Sequence, residues 1–374
     1  MAGIYIHIPF CKTRCIYCGF YSTTLLDMRN EYIDAVCREM KLRKNYLNKP
    51  ISTIYLGGGT PSMLDEENLN KLFLYINNVY SVNANAEVTM ECNPDDVTPE
   101  FANIISRLPI NRVSMGAQTF SDKRLALLHR RHNAGEVSKA VMLLRKVGIH
   151  NISIDLMFGF PNESLEQWKE DILAALALNV EHISAYSLMY EEGTPLWNML
   201  KSGKIEEIDD DLSIAMYNEL VSQLTASGYE HYEISNFAKP GFRSRHNSSY
   251  WHQVPYIGLG AAAHSFDMKS RQWNVADVRK YIKSINSNII PMERETLDKD
   301  TIMNDIITTA LRTSDGIDLK KVENMLGSEY SNQVVKNAAK HIDEGLLELK
   351  GGRLKLTKKG IYISDMIMSD IMIV

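Results

Sequence analysis

Cysteine is scarce in this 374-residue chain: there are five, an odd count, which argues against a disulfide framework. A long apolar run is also missing. No uninterrupted stretch reaches ~18 residues, so no membrane span is expected. The opening MAGIYIHIPFCK has neither a basic segment leading into a long apolar one nor a cleavage site, so no secretory leader is expected. Positive charge is not concentrated. Lys and Arg number 41 against 46 Asp and Glu, interspersed, for a formal net charge of −5, and bulk charge gives no affinity for nucleic acid. A cytoplasmic protein is the default. What remains is ordinary globular composition, 45% hydrophobic and 23% charged. It is long enough for a sizeable core and for about two to three domains.

Short apolar runs alternate with helical periodicity along the first half. Strands are expected at Gly3–Ile8, Ser52–Leu56, Ala86–Glu91, Asn111–Met115, His150–Leu156 and Val180–Leu188. Helices are expected at Met28–Tyr46, Asp65–Val79, Pro99–Leu108, Ser121–Val147 with a break near Asn133, and Ser164–Leu178. Asp65 is the expected N-cap of the second helix, and Ser164 with Gln167 has capping-box spacing. Six such alternations imply a parallel α/β sheet of right-handed units, either an incomplete (β/α)6 TIM-like barrel or a doubly wound open sheet. An open barrel leaves a side cleft that admits a large flat substrate.

The pattern changes after about residue 204. A helix at Asp209–Ser227 precedes an irregular aromatic stretch reaching about Trp273. From about residue 296, three helices and a probable hairpin, Leu347–Leu349 and Leu354–Leu356 around Gly351-Gly352, suggest a small α+β winged-helix-like domain. No basic recognition surface accompanies it, and DNA binding is not expected. The expected division is 1–205 for the partial barrel, 206–290 for an extension and 291–374 for the C-terminal domain.

Three of the five cysteines fall within eight residues, in Cys11-Lys-Thr-Arg-Cys15-Ile-Tyr-Cys18, directly after the first strand. In a barrel that loop lies at the catalytic end. Three thiolates at CxxxCxxC spacing can hold three corners of a cubane iron–sulfur cluster and leave one iron open, since Phe20 follows and Cys37 falls in a helix. The same sulfurs could instead bind structural zinc with His7 as fourth ligand, or serve as unliganded thiols.

The text around the cysteines bears on that choice. Ile6-His7-Ile8-Pro9-Phe10-Cys11 with this spacing resembles the radical S-adenosylmethionine superfamily, and within it the oxygen-independent coproporphyrinogen III oxidase family. The resemblance covers nearly the whole chain. It continues through Gly57-Gly58-Gly59-Thr60-Pro61, Glu91-Cys92-Asn93-Pro94, Ser114-Met115-Gly116-Ala117-Gln118 and Ile154-Asp155-Leu156-Met157-Phe158-Gly159-Phe160-Pro161. It implies a [4Fe–4S] cluster on Cys11, Cys15 and Cys18, with S-adenosylmethionine on the open iron. It implies further that Gly58, Gly59 and Thr60 receive the ligand's amino acid end, and that Glu91 accepts from its ammonium. Gln118 and Asp155 would hold its ribose and Arg130 its carboxylate, with Tyr5 and Tyr17 lining the site. The implied chemistry is one-electron cleavage of the sulfonium to a 5′-deoxyadenosyl radical.

Porphyrinogen-oxidising members resemble CxxxCxxCxC and carry an extension ahead of the first strand. Here Phe20 stands at the extra cysteine position, and the first strand begins by Gly3. His246-Asn247-Ser248-Ser249-Tyr250-Trp251 resembles the HNxxYW motif of the HemW-type haem-chaperone subgroup. That resemblance implies His246 as a haem ligand, with Tyr250 and Trp251 packing on the macrocycle and His252 or His264 as a second axial ligand. It implies haem delivery to an acceptor protein, possibly a membrane haem protein; the alternative is radical decarboxylation of coproporphyrinogen III. Gly258-Leu259-Gly260-Ala261-Ala262-Ala263 lacks a preceding βαβ unit and a suitably spaced acidic residue, so it reads as a loop near the cleft rather than a dinucleotide site.

Overall fold

The computed structural model describes residues 1–373. Its frame is six parallel strands in sequence order: β1 (Ala2–Ile8), β2 (Ile51–Gly58), β3 (Val82–Cys92), β4 (Arg112–Gln118), β5 (Asn151–Phe158) and β6 (His182–Ser187). The connecting helices include α1 (Arg29–Leu42), α2 (Glu66–Val79), α3 (Pro99–Ile105), α4 (Asp122–Leu127), α5 (Ala134–Lys146) and α6 (Leu165–Ala177). β1 and β6 do not pair, so the barrel is incomplete, as the βα alternation predicts. Asp65 accepts from the Asn68 amide, and Ser164 and Gln167 form the expected capping box.

The strands are less uniformly apolar than a sheet covered on both faces requires. Ile4, Ile6, Ile8, Leu56, Met90 and Met115 are buried in the main core. Alternate positions carry Tyr5, His7, Tyr55, Glu91, Ser114 and Asp155. Strand alternation places that second set on the opposite, inner face. The barrel interior is thus polar and enclosed. Ser153 binds His182 at 2.7 Å there, and His182 in turn meets the Tyr232 hydroxyl at 2.7 Å. Buried polar groups persist only when partnered, so this interior is built to hold polar chemistry in place.

The aromatic stretch is more regular than its sequence suggests. It contains β7 (Glu230–Glu233), β8 (Asn236–Ala238), a helix at Arg245–Trp251, β9 (Tyr256–Leu259), β10 (His264–Phe266) and β11 (Ser270–Asn274). β9 pairs parallel with β1, with Tyr5 opposite Gly258, and so adds a seventh parallel strand. The Gly258 segment therefore starts as a strand, and only its continuation turns. β10, β11 and β12 (Met292–Thr296) then extend the sheet antiparallel. β12 belongs to this sheet although it follows residue 291. The second core gathers Met303, Ile307, Val334, Leu354 and Ile367. There the expected helices and hairpin are present, the hairpin as Leu347–Lys350 paired with Arg353–Leu356. No helix among the described residues is long and apolar enough to cross a membrane.

A buried charge fastens the extension to the barrel. Glu39 on α1, 0% exposed, accepts from Arg43 at 3.0 Å, the Gly260 amide at 2.8 Å, Asn274 at 2.8 Å and Tyr281 at 2.6 Å. Arg43 also donates to the Gly258 carbonyl, Ser265 and Gln272. Removing one member leaves the others buried and unpaired. Glu39→Ala is expected to lower the unfolding free energy by about 3–5 kcal/mol, measured by urea titration.

Candidate functional site

All six barrel strands deliver their C-terminal ends to one rim, and a cavity of about 430 Å³ opens there. Cys11, Cys15 and Cys18 line it together with Tyr17, Gly58, Gly59, Thr60, Glu91, Gln118, Arg130 and Asp155. Residues spread over almost 150 positions of sequence meet because each follows, or ends, a parallel strand. Tyr5 is not in the wall. It lies below, stacked on Tyr55 with ring centroids 6.2 Å apart, its hydroxyl 3.0 Å from His7 Nδ1.

His7 is also apart from the cysteines. Its Nε2 lies 3.0 Å from the Tyr21 carbonyl while Nδ1 meets Tyr5, so both nitrogens are engaged. The zinc alternative thereby loses its fourth ligand. His7 instead shapes the glycine turn above it. Gly58 has φ +113°, and a Cβ there would sit 2.4 Å from the His7 ring. Conformation and space both exclude a side chain. The turn therefore presents bare backbone to the cavity.

Cys11 Sγ accepts from Thr60 at 3.5 Å, and Cys15 Sγ from Arg130 at 3.5 Å. Burial, with the neighbouring Cys15, pushes the Cys11 and Cys18 thiols up, against the lowering effect of Arg14. Arg130 is clamped by Asn93 and the Gly116 carbonyl, each at 2.8 Å, while its buried Nε has no partner. A guanidinium so held in the cavity wall suits an incoming carboxylate.

Glu91 accepts from the Tyr55 hydroxyl at 2.8 Å and the Gly58 amide at 3.0 Å. Burial pushes its carboxyl up to about 7, against the lowering effect of those bonds. Asp155 is pushed up to about 6, again by burial, opposed by Ser184 and the nearby arginines. Two buried carboxyls, neither in an ion pair among the described residues, suit a ligand that brings an ammonium and hydroxyl groups. Gln118 holds φ +66° at a register shift in β4, a strained backbone that points its amide toward Gly116. The donor set thus fits a sulfur-ligated cluster beside a zwitterionic nucleoside.

His246 lies deeper. Ser244 caps its short helix, and Glu87 accepts from the Arg245 and His246 amides at 3.0 and 2.9 Å. The ring is 1% exposed and stacks on Tyr55 at 5.0 Å. Nδ1 meets Thr53 at 2.9 Å and Nε2 meets Tyr250 at 2.8 Å. Burial holds its pKa down to about 3. In this conformation neither nitrogen is open to a metal, and the ring instead braces the Tyr55 that supports Glu91. Its neighbour Asn247 reaches the cavity wall.

Sequence reasoning missed Tyr55, Asn93, Arg112, Ser184 and Asn247. All five sit on inner strand positions or inside quoted motifs, so strand alternation and the motifs were the available signals.

A partial barrel, a three-cysteine loop at its C-terminal rim and a glycine-lined cavity together define the radical S-adenosylmethionine class. The superfamily description matches residues 5–175, and that of the HemN C-terminal domain matches 297–363. Heme chaperone HemW of Bacillus subtilis (strain 168) is 35% identical over 98% of this chain and 97% of its own. That of Lactococcus lactis subsp. lactis (strain IL1403) is 31% identical over 96% and 94%. Coproporphyrinogen III oxidase (HemN) from Escherichia coli superposes with TM-score 0.85 at 21% identity, covering 99% of this chain and 89% of that one, a likeness of fold. The chain belongs to the HemW family of radical S-adenosylmethionine proteins.

Proposed function

We propose that this chain is a haem chaperone, binding haem and transferring it to an acceptor protein. The observation that carries the reading is the match along nearly the full length of both chains to named haem chaperones. Cys11, Cys15 and Cys18 hold a [4Fe–4S] cluster. Gly58, Gly59, Thr60, Glu91, Gln118, Arg130 and Asp155 hold S-adenosylmethionine, with Tyr17 beside them. When bound together, these groups supply one-electron cleavage of a sulfonium bond. Glu91 anchors the ammonium, Arg130 the carboxylate, and the glycine turn brings the backbone close. The acceptor is a membrane haem protein, met from the cytoplasm.

Phe20 supports the chaperone over the oxidase reading. It stands 72% exposed on the cavity wall, where oxidases of the resembling family carry another cysteine. The test presents haemin and coproporphyrinogen III side by side to anaerobically reconstituted, reduced chain. Stoichiometric haemin binding without protoporphyrinogen is expected. Protoporphyrinogen formation would favour the oxidase.

A further inference from the structure

Arg112 is a charge buried inside the barrel without a partner. It opens β4, at the end away from the rim, and is 1% exposed. Its Nε is buried with nothing to donate to, and neither terminal nitrogen makes a hydrogen bond or ion pair with a described residue. The side chain nonetheless belongs to the cavity wall, as do Ser114 and Gln118 further along β4. The cavity thus runs down the inner face of that strand from the rim to a floor. The positions paired with Arg112 on the neighbouring strands are Thr89 and Asn151. Paired residues share a face, and Thr89 Oγ1 and Asn151 Oδ1 are likewise buried without partners. Three unpartnered polar side chains therefore stand in one row on the inner face.

The groups around the guanidinium are already committed. His182 is held between Ser153 and Tyr232, and His246 between Thr53 and Tyr250. Burial, and then the Arg112 charge, hold both imidazoles below their ordinary value, so both are neutral. Glu91 and Asp155 feel the same charge without pairing with it, and Glu91 is taken by Tyr55 and the Gly58 amide. A guanidinium cannot shed its proton, so burial without a counter-ion works against the fold. An anion would complete it. The planar fork matches carboxylate and phosphate alike. The two nearby carboxyls disfavour a doubly charged group, which leaves a singly charged carboxylate. In the reading above, the nucleoside takes the rim end, with its own carboxylate at Arg130. A cavity of about 430 Å³ then leaves room at the floor for a small molecule only.

We propose that Arg112 receives the carboxylate of a second, small ligand, bound at the barrel floor beneath the S-adenosylmethionine site. The Thr89 hydroxyl and the Asn151 amide, which can present its donor end by rotating, supply further polar contacts in the same row. The assignment goes beyond haem transfer and does not depend on it.

The test uses the cluster-loaded full chain with acetate as probe, at constant ionic strength balanced by chloride. Urea unfolding and saturation-transfer nuclear magnetic resonance read the binding, and a crystal soaked in 3-bromopropanoate locates it by anomalous scattering. Acetate should stabilise the wild-type chain, with the bromine signal beside Arg112. Arg112→Met should weaken acetate binding by about ten- to a hundredfold, yet be no less stable than wild type in chloride, because it removes an unpaired buried charge. Arg112→Lys keeps the charge without the fork and should fall between the two, with S-adenosylmethionine affinity unchanged; it carries the test if Arg112→Met does not fold. Equal acetate affinity in wild type and both variants would overturn the assignment. So would a destabilised Arg112→Met beside a wild-type chain that ignores acetate, which would make the arginine structural. Loss of S-adenosylmethionine affinity in Arg112→Lys matching that in Arg130→Lys would give the guanidinium to the nucleoside's own carboxylate and overturn it equally.

Discussion

Serine at Cys11, Cys15 or Cys18 is expected to leave the anaerobically reconstituted chain without its cluster, while serine at Cys37 or Cys92 leaves it loaded. The contrast follows from position. The first three thiols open into one cavity at the end of β1. Cys37 is buried on α1, where burial pushes its thiol up to about 12, and Cys92 is buried at the end of β3 and pushed well above its ordinary value. Thiols that face the apolar core rather than the cavity do not ligate there. Three cysteines suffice for three irons, so no fourth can compensate for a loss. Iron and acid-labile sulfide per chain, with the visible charge-transfer absorption, decide the matter. Equal loss on Cys92→Ser would show that the cluster is held elsewhere.

Glu91→Gln is expected to weaken S-adenosylmethionine binding by about ten- to a hundredfold. That range corresponds to a charge-assisted hydrogen bond of ~1.5–3 kcal/mol. The amide keeps an acceptor for Tyr55 or Gly58, so the turn survives while the negative charge is lost. The wild-type carboxyl rises from 4.5 to about 7 on folding. Between those values the folded chain holds a proton that the unfolded chain has released. Stability from this group is therefore full below pH 4.5 and declines as pH rises toward about 7. Glu91→Gln should lose that decline. The ligand's ammonium favours the ionised carboxylate, so wild-type affinity should rise with pH up to about 7 and flatten above it, with proton uptake or release visible by calorimetry in two buffers. A pH-independent affinity equal to that of Glu91→Gln would remove the residue from the site.

The parallel frame was legible because each βα unit carries its own punctuation: Asp65 and Ser164 start helices, and the glycines at the end of β2 close a strand. The rim was legible for the same reason, since motifs placed after strands must share an end. The extension was not. β9, β10 and β11 have three to five residues each and interleave Gly258, Ser265 and Arg271 among their aromatics. β12 is exposed throughout, so it carries no alternation to read. Its pairing is decided by β11, which sequence periodicity does not see.

His246 shows a different limit. The motif marked the right neighbourhood, but sequence spacing gives no access to what its ring touches. Thr53 and Tyr55 of β2 and Tyr250 of its own helix close around it. Local sequence likewise does not tell His264 from His252; in the fold His264 is exposed and paired with Trp273 across β10 and β11. His252, by contrast, bonds the Ser248 carbonyl and faces Asp315.

The reading depends most on an iron corner left free at the three-cysteine loop. Electron paramagnetic resonance of the reduced chain, prepared without air and recorded before and after addition of S-adenosylmethionine, addresses it directly. A [4Fe–4S] signal whose shape changes on addition is the result this account requires. A zinc-filled, iron-free loop, or a cluster signal unmoved by the nucleoside, would contradict it.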